Sequence, residues 1–425
     1  MAVQSSEDDH PAETGSRHRC WTAGDIVRSA VGCILILTMI SVHGESFVSM
    51  AIQRARSMKP KLFMKAPERA ENDGYRMETH HVQTDDGYIL GLHRIPGKRE
   101  SSKPVLLQHG QHSMSDCWIA FGPSRSLAYQ LADKGYDVWL GNIRGNIYSK
   151  DHTTLNPSDS AFWNFSWHEM GFYDLPAMID YILRTTGQSK LYYMGHSLGG
   201  RIVFVLLSMR PEYNDKLRLV VAMASRLSAP PDQQRTPEFR PPRNVNLFQR
   251  FVEVAGINEL FPYSERRIAM LYYFCSNSIT RAICRKFVQD SMGESEVISE
   301  DDILMMIVIG MGGNSAKTSQ HYTQLIESGK FQQFDYGPEV NLQMYGSNQP
   351  AEYDVTRVTA PVSIHYGATD KRVPEEGVLY MSTILPNVAE VRKVPSEKFN
   401  HMDFICHMNL KELLYDHILS CLENY

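Results

Sequence analysis

LYYMGHSLGG, residues 191–200, places Ser197 between two glycines directly after a short apolar run. The apolar run predicts a buried strand, and residues 200–210 that follow have the pattern of a helix. A Gly-x-Ser-x-Gly turn between a strand and a helix is typical of a nucleophile elbow, where larger flanking side chains would clash with the strand and the helix. We therefore predict that Ser197 is a catalytic nucleophile. The alternative is an ordinary strand-to-helix turn.

Strands and helices alternate on both sides of this turn. Two strands are predicted around the turn at residues 84–87. Further strands are predicted at 104–110, 136–142, 217–225, 360–370 and 389–394, and helices at 124–135, 174–187 and 410–422. Ser124 is the predicted N-cap of the first of these helices, and Gly187 ends the second. Short connections between alternating elements predict an α/β fold with a mostly parallel central sheet flanked by helices.

The alternation stops between about residues 226 and 350. This stretch is too long for a loop without secondary structure, so we predict a helical cap over one edge of the sheet. Its large apolar residues include Phe248, Phe251, Leu260, Phe261, Leu271, Tyr272, Tyr273, Phe274, Met305 and Met306. The predicted organisation is a disordered head with a signal peptide or signal anchor (1–44), an N-terminal linker (45–69), the first part of the α/β core (70–225), the helical cap (226–350) and the second part of the core (351–425).

The composition excludes some classes of partner. The chain has 425 residues, of which 43% are hydrophobic and 21% charged, and its formal net charge is −5. No long basic run and no basic patch interleaved with aromatic residues is present, so we expect no nucleic-acid partner. No Cys-x-x-Cys and no His/Cys metal spacing is apparent, so no metal site is predicted from the sequence pattern. Nothing in the sequence implies a stable protein partner.

Residues 30–42 form an apolar run of 13 residues after a polar head that contains Arg17, Arg19 and Arg28. The run is short for a membrane span, which needs about 20 residues. Its length suits the apolar region of a signal peptide, with Gly44 near a cleavage point. We therefore expect the secretory pathway, either secretion or delivery to the lysosome. An uncleaved signal anchor and a buried core helix are the alternatives.

The cysteines and one sequon are consistent with this route. Cys275 and Cys284 are close enough in sequence to close a short loop in an oxidising compartment. Asn164 begins an Asn-Phe-Ser sequon for N-glycosylation. The other cysteines are Cys20, Cys33, Cys117, Cys406 and Cys421.

A nucleophilic serine needs a base to take its proton and a carboxylate to hold that base. In the predicted architecture the chain order is serine, acid, histidine. Asp370 leaves a predicted buried strand and is the candidate acid. Asp354 is the runner-up, but it precedes this strand and should lie at the opposite edge of the sheet. Asp174 precedes the serine and is better explained as a helix cap.

His401 is the candidate base, because it lies on the loop between the last strand and the last helix. His407 and His417 lie within or beside the helix, where surface or packing roles are expected. His365 lies inside a strand, where a hydrogen-bonded core histidine is the ordinary interpretation. The predicted triad is therefore Ser197, Asp370 and His401.

The oxyanion of a tetrahedral intermediate needs preorganised N–H donors. We expect one from the backbone of Leu198, directly after the nucleophile, and one from the backbone of Gln111, on the loop after the strand at 104–110. His109 is expected to brace that loop or simply to pack there.

Several long motifs carry a resemblance to a known family. They are DDGYILGLHRIP (85–96), LLQHG (106–110), GYDVWLGNIRGNIYSKDH (135–152), FWNFSWHEMGFYDLPAMIDYIL (162–183), GHSLGG (195–200), SGKFQQFDYG (328–337) and NHMDF (400–404). From about residue 70 to the C-terminus the chain resembles the acid lipase family. The sequence departs from the family pattern at Leu198, at Gln111 and in ATDKRVP (368–374).

This resemblance implies an α/β-hydrolase fold, a capped active site and hydrolysis of neutral-lipid esters without a metal or cofactor. It implies the roles of nucleophile, acid and base for Ser197, Asp370 and His401, and a cap disulfide between Cys275 and Cys284. The expected substrates are triacylglycerols or cholesteryl esters at a lipid–water interface. The alternatives are a carboxylesterase for small soluble esters and an inactive relative that binds lipid.

Overall fold

The computed structural model describes residues 45–230, 250–296 and 299–425. The predicted signal segment at 30–42, Cys20, Cys33 and Phe248 lie outside these ranges. The chain divides into two compact units, residues 1–54 and 55–425. Of the first unit, residues 45–54 are described, and they are helical. No helix within the described ranges has both the length and the apolar character that crossing a membrane requires.

The secondary structure follows the predicted alternation. The strands are β1 Glu78–Gln83, β2 Tyr88–Ile95, β3 Pro104–Gln108, β4 Asp137–Gly141, β5 Asp151–His152, β6 Leu191–His196, β7 Leu217–Met223, β8 Glu259–Leu260, β9 Asn314–Ser315, β10 Val362–Tyr366 and β11 Val388–Lys393. The helices are α1 Glu45–Met58, α2 Ala66–Asn72, α3 Leu127–Asp133, α4 Trp167–Glu169, α5 Leu175–Thr186, α6 Leu198–Met209, α7 Glu265–Ser276, α8 Arg281–Met292, α9 Glu300–Ile309, α10 Ala316–Ser328, α11 Pro338–Tyr345, α12 Glu375–Ile384, α13 Asp403–Cys406 and α14 Asp416–Glu423.

One mostly parallel sheet organises the chain. Its strand order is β1-β2-β4-β3-β6-β7-β10-β11, with β5 paired to β2. Strands β4, β3, β6, β7, β10 and β11 run parallel, whereas β2 is antiparallel to both β1 and β4. The predicted α/β-hydrolase architecture is therefore confirmed, and the carboxyl ends of the parallel strands meet along one edge of the sheet.

Burial separates the central strands from the edges. Every residue of β3, β4, β6 and β10 is buried, as expected for parallel strands covered on both faces. The edge strand β11 instead alternates half-buried and exposed residues. Helices α5 and α6 pack on the sheet through side chains such as Met178, Ile179 and Ile202, all fully buried in the main apolar cluster.

The segment 45–69, described from the sequence only as a linker, is largely helical (α1 and α2), and no Gly or Pro interrupts residues 45–58. Two local expectations were wrong. Helix α3 has Ser126 at its N-cap position rather than Ser124. Asp174 occupies the N-cap position of α5 without making a capping hydrogen bond, because its carboxylate instead binds the side chain of Arg144.

Between β7 and β10 the described residues are mainly helical (α7 to α11), and β8 and β9 form a small antiparallel pair. The Cys275 and Cys284 sulfurs form a disulfide that joins α7 to α8. Both cysteines are buried. The disulfide thus fixes two neighbouring helices of this inserted segment to each other.

Candidate active site

Ser197 lies on a sharp turn between β6 and α6. Its φ is +54°, a left-handed conformation that residues with a Cβ rarely adopt. A Cβ on Gly195 would overlap the backbone of Gly199, and a Cβ on Gly199 would overlap the carbonyl oxygen of Gln108. The two glycines are therefore required sterically, and the turn projects the serine at the carboxyl end of β6.

The three predicted triad residues form a hydrogen-bonded chain. The Ser197 Oγ lies 2.9 Å from His401 Nε2. On the other side of the ring, His401 Nδ1 donates to Asp370 Oδ2 at 2.9 Å. Asp370 and His401 are each only 6% exposed. The geometry is that of a nucleophile, a base and an orienting acid, in which the imidazole can accept the serine proton.

The backbone fixes the Asp370 carboxylate after the end of β10. Its Oδ1 accepts the N–H groups of Arg372 (2.8 Å) and Val373 (2.9 Å), which leaves Oδ2 for His401. Charge on the carboxylate is thereby compensated by two backbone dipoles. The residue is held in one orientation toward the base.

The other acids and histidines considered from the sequence lie elsewhere. Asp354 caps a short turn through the N–H of Thr356 at 3.1 Å. His365 is fully buried in β10 and pairs with Ser363. His407 accepts the N–H of Asn409, and His417 contacts Glu390. None of these side chains is hydrogen-bonded to a triad residue.

The loop after β3 lies beside the nucleophile. A Cβ on Gly110 would lie 3.2 Å from the Ser197 Cβ, so this backbone is in close contact with the elbow. The backbone N–H groups of Leu198 and Gln111 have no hydrogen-bond acceptor among the residues that the structure describes. Both are thus available to a substrate oxygen near Ser197.

His109 holds this loop in place. Its Nε2 accepts from Asn146 Nδ2 at 3.0 Å, so its Nδ1 carries the proton and donates to the Gly110 carbonyl at 2.8 Å. Complete burial lowers the pKa of His109 to about 4, which keeps the ring neutral. The residue therefore positions the loop and does not act as a proton carrier.

The C-terminal end of α8 lies across the loops that carry the acid and the base. The Met292 carbonyl accepts the N–H of His401 at 3.3 Å and that of Lys371 at 3.4 Å. Asn400 Nδ2 donates to the Gly293 carbonyl at 3.0 Å. The inserted segment thus contacts the backbone of the catalytic loops directly.

Asp403 is a site residue that sequence reasoning missed, although it lies two positions after His401 in NHMDF. Its Oδ2 accepts the N–H of Asn400 at 2.7 Å, and its Oδ1 accepts the hydroxyl of Ser295 at 2.7 Å. Burial raises the pKa of Asp403 to about 7, opposed by these hydrogen bonds. The carboxyl therefore links the base loop to the segment after α8.

Arg144 forms a buried ion-pair network with two aspartates. Arg144, 1% exposed, donates through Nε to Asp174 Oδ1 at 2.7 Å and through NH2 to Asp86 Oδ1 at 2.8 Å. The backbone N–H of Arg144 also binds Asp174 Oδ2. The contact between Arg144 and Asp174 connects the loop after β4 to the start of α5, which are far apart in sequence.

Among the described residues, the group that could hold a metal ion contains none of the triad: it consists of Glu390, His417 and Cys421. Ester hydrolysis by a serine, histidine and aspartate needs protons and hydrogen bonds, which the triad itself supplies.

Two family models match this chain. A model for the α/β hydrolase fold matches residues 103–405, and a model described as a partial α/β-hydrolase lipase region matches residues 66–122. Among solved structures, an esterase from Exiguobacterium antarcticum superimposes with a TM-score of 0.51 at 14% identity, over 81% of this chain and all of that one. The structural similarity supports the fold.

Curated animal lipases are similar over most of their length. Lipase 1 of Drosophila melanogaster is 40% identical over 82% of this chain and 77% of that protein. Lipase 3 of the same organism is 38% identical over 84% of this chain and 92% of that protein. Gastric triacylglycerol lipase of Bos taurus is 31% identical over 91% of this chain and 98% of that protein.

Proposed function

The chain belongs to the acid lipase family of α/β hydrolases, and we propose that it hydrolyses the carboxylic esters of neutral lipids through an acyl-enzyme on Ser197. The observation that carries this assignment is the hydrogen-bonded chain from Ser197 through His401 to Asp370. The reaction class is carboxylic ester hydrolysis.

In the first half of the proposed reaction, the Ser197 oxygen attacks the ester carbonyl carbon while His401 Nε2 takes the serine proton. Asp370 stabilises the resulting imidazolium through Nδ1. The tetrahedral intermediate collapses, the bond to the alcohol oxygen breaks, and His401 gives its proton to the departing alcohol. In the second half, His401 takes a proton from water, the hydroxide attacks the acyl-enzyme, and the fatty acid leaves as Ser197 regains its proton.

The backbone N–H groups of Leu198 and Gln111 stabilise the oxyanion in this proposal. Their availability and the contact of Gly110 with Ser197 support the assignment. A donor of this kind raises kcat by a factor on the order of 10²–10³. The side chains at these two positions differ from the family pattern, but a backbone donor does not depend on the side chain.

We infer a long-chain substrate at a lipid–water interface from the inserted segment. Apolar side chains are largely exposed there, among them Phe251 (62%), Phe261 (52%) and Phe287 (66%). A contiguous exposed apolar patch marks a binding surface, and we propose that these side chains form one. Triacylglycerols and cholesteryl esters are the candidate substrates. Small soluble esters are the second candidate, since the same triad would cleave them.

A secretory route is proposed for the same protein. The apolar run at 30–42 has the length of a signal peptide. The Cys275–Cys284 disulfide suits an oxidising compartment, and Asn164 is exposed as a glycan acceptor must be. Lysosomal delivery and secretion are both compatible with these features.

A fluorophosphonate probe and a chain-length series test the function. We expect the probe to label wild-type protein at Ser197 and to leave Ser197→Ala unlabelled, whereas an inactive lipid-binding relative would not be labelled. Catalytic efficiency should rise from acetate to long-chain esters and rise further on emulsions, because each buried methylene contributes about 0.8 kcal/mol. Labelling with a flat or falling series would favour the small-ester alternative.

A further inference from the structure

Three side chains with different metal-binding atoms meet at the edge of the sheet. Glu390 projects from β11, and His417 and Cys421 project from α14. His417 Nε2 lies 2.6 Å from Glu390 Oε1, and the Cys421 sulfur lies 3.4 Å from both His417 Nε2 and Glu390 Oε2. Glu390 pairs in register with Ser363, near the start of β10. The cluster therefore lies level with the start of β10, whereas the triad acid follows the end of that strand.

The spacing of these atoms suits a tetrahedral zinc ion. Ligands about 2.0–2.3 Å from zinc are about 3.3–3.7 Å apart at tetrahedral angles. The two separations of 3.4 Å from the sulfur fall in this range. The separation of 2.6 Å between His417 Nε2 and Glu390 Oε1 is that of a hydrogen bond, which an ion bound between these groups would replace. One thiol, one imidazole and one carboxylate form a ligand set that favours zinc over calcium or magnesium, which prefer oxygen ligands alone.

A second layer of hydrogen bonds orients the carboxylate. The Ser363 hydroxyl donates to Glu390 Oε2 at 3.3 Å and lies 2.9 Å from His365 Nε2. His365 is fully buried, and its Nδ1 has no hydrogen-bond partner in the described part of the chain. Its ring stands edge-on to that of His417, with centroids 6.0 Å apart. Metal ligands are typically held by such outer partners.

The supporting elements suit a binding site. His417 and Cys421 are four residues apart in α14 and so share one face of a rigid helix. The side chains of His417 and Glu390 are 34% and 27% exposed, so both are accessible from solvent.

We propose that Glu390, His417 and Cys421 bind one zinc ion, with water as the fourth ligand, and that the ion ties the last helix to the edge strand β11. On binding, the Cys421 S–H bond breaks, the sulfur bonds to zinc as a thiolate, and the proton leaves to solvent. His417 binds through its neutral Nε2. Affinity therefore falls as pH is lowered. The ion stabilises the fold, because the site needs α14 docked against β11.

Cobalt(II) provides the probe, because a cobalt–thiolate bond gives a charge-transfer band in the near ultraviolet. Metal-free full-length protein should bind one equivalent of cobalt with this band, and one equivalent of zinc should displace it. Zinc should also raise the Tm of the protein. Cys421→Ser should lose the band, and Ser363→Ala should keep it with about 10–100-fold weaker affinity. The exposed His81→Gln is the matched control and should behave as wild type.

Two results would overturn the site: no charge-transfer band in wild-type protein, or a band that persists in Cys421→Ser. Esterase activity and the metal-free Tm of each variant serve as folding controls, because the triad contains none of these residues. Should Cys421→Ser fail to fold, Glu390→Gln keeps the thiol and nearly the same shape. That variant should bind cobalt at least about tenfold more weakly, and unchanged affinity would exclude Glu390 as a ligand.

Discussion

His401 joins Ser197 to Asp370 through two hydrogen bonds, one at each ring nitrogen, so both bonds depend on the residue in the middle. The single variants Ser197→Ala, His401→Ala and Asp370→Asn should each lower kcat by a factor on the order of 10⁴–10⁶. Double variants should have a kcat only slightly lower, because the three residues act as a unit. Steady-state kinetics on a soluble ester measures this. Asp354→Asn is the matched control; if it abolished activity while Asp370→Asn did not, the acid would be misassigned.

Asp403 gives the protein a pH-dependent stability term. Its folded-state pKa of about 7 is raised by burial above the ordinary carboxyl value near 4. The folded state therefore holds this proton more tightly, so the contribution to stability is complete below about pH 4 and is lost as pH rises to about 7.

Asp403→Asn removes this titration. We expect the free energy of unfolding of wild type, relative to the variant, to fall by about 2–4 kcal/mol between pH 4 and pH 7. Denaturant titrations at several pH values measure the difference, with the exposed Asp354→Asn as control. A difference that stays constant over this range would show that Asp403 does not titrate there.

The elbow between β6 and α6 tolerates no side chain at Gly199. A Cβ there would overlap the carbonyl oxygen of Gln108 and lie 2.7 Å from that of His109, both of them backbone atoms that cannot rotate away. Gly199→Ala should move Ser197 relative to His401 and lower kcat about 10²-fold, since small displacements of reacting groups are costly.

The control for this variant is Gly310→Ala. At Gly310, after α9, the nearest atoms to an added Cβ are 3.4 Å away and φ is negative, so the change should leave kcat intact. Kinetics and thermal melts of both variants measure the contrast. Equal effects of the two substitutions would argue that crowding at the elbow does not position the serine.

The disulfide between α7 and α8 closes a short loop, and the C-terminal end of α8 contacts the catalytic loops. Such a bond reduces the chain entropy of the unfolded loop and thereby stabilises the folded state by about 2–3 kcal/mol. In the double variant Cys275→Ser/Cys284→Ser, α8 should be less firmly fixed to α7. Long-chain ester hydrolysis should then fall about tenfold more than acetate hydrolysis, because a long acyl chain needs the apolar inserted segment. Acetate turnover is the internal control. Equal losses on both substrates would contradict a substrate-binding role for this segment.

For the molecule as a whole, the secretory proposal predicts two covalent changes: cleavage of the signal peptide and N-glycosylation. In secretory cells the mature chain should begin near Gly44 and carry a glycan on Asn164, whose side-chain oxygen accepts from Lys317 at the surface. Asn164→Gln should lose the glycan mass without losing ester hydrolysis. Intact-mass spectrometry reads both features. An N-terminus that retains residues 30–42 would instead indicate the signal anchor.

Local sequence was sufficient for the elbow, for the order of strands and helices and for the three triad candidates. Each depends on short-range rules: glycines where a side chain cannot fit, apolar runs where a strand is buried, and polar residues on loops that leave strands. The same rules misplaced the cap of α3 by two residues, because the exact end of a helix depends on contacts that local patterns do not contain. Helix α1 was overlooked, although its 14 residues contain no Gly or Pro.

The sequence by itself determined the chemistry available to this protein: a strained serine followed by an acid and a histidine in the order that a hydrolase core requires. Only the tertiary structure decided the distances, since Ser197 and His401 are 204 positions apart and meet at 2.9 Å. It also joined Asp403 to Ser295, over 108 positions, and Glu390 to His417, over 27. Such pairs depend on how the sheet and helices pack, and packing is a property of the whole chain.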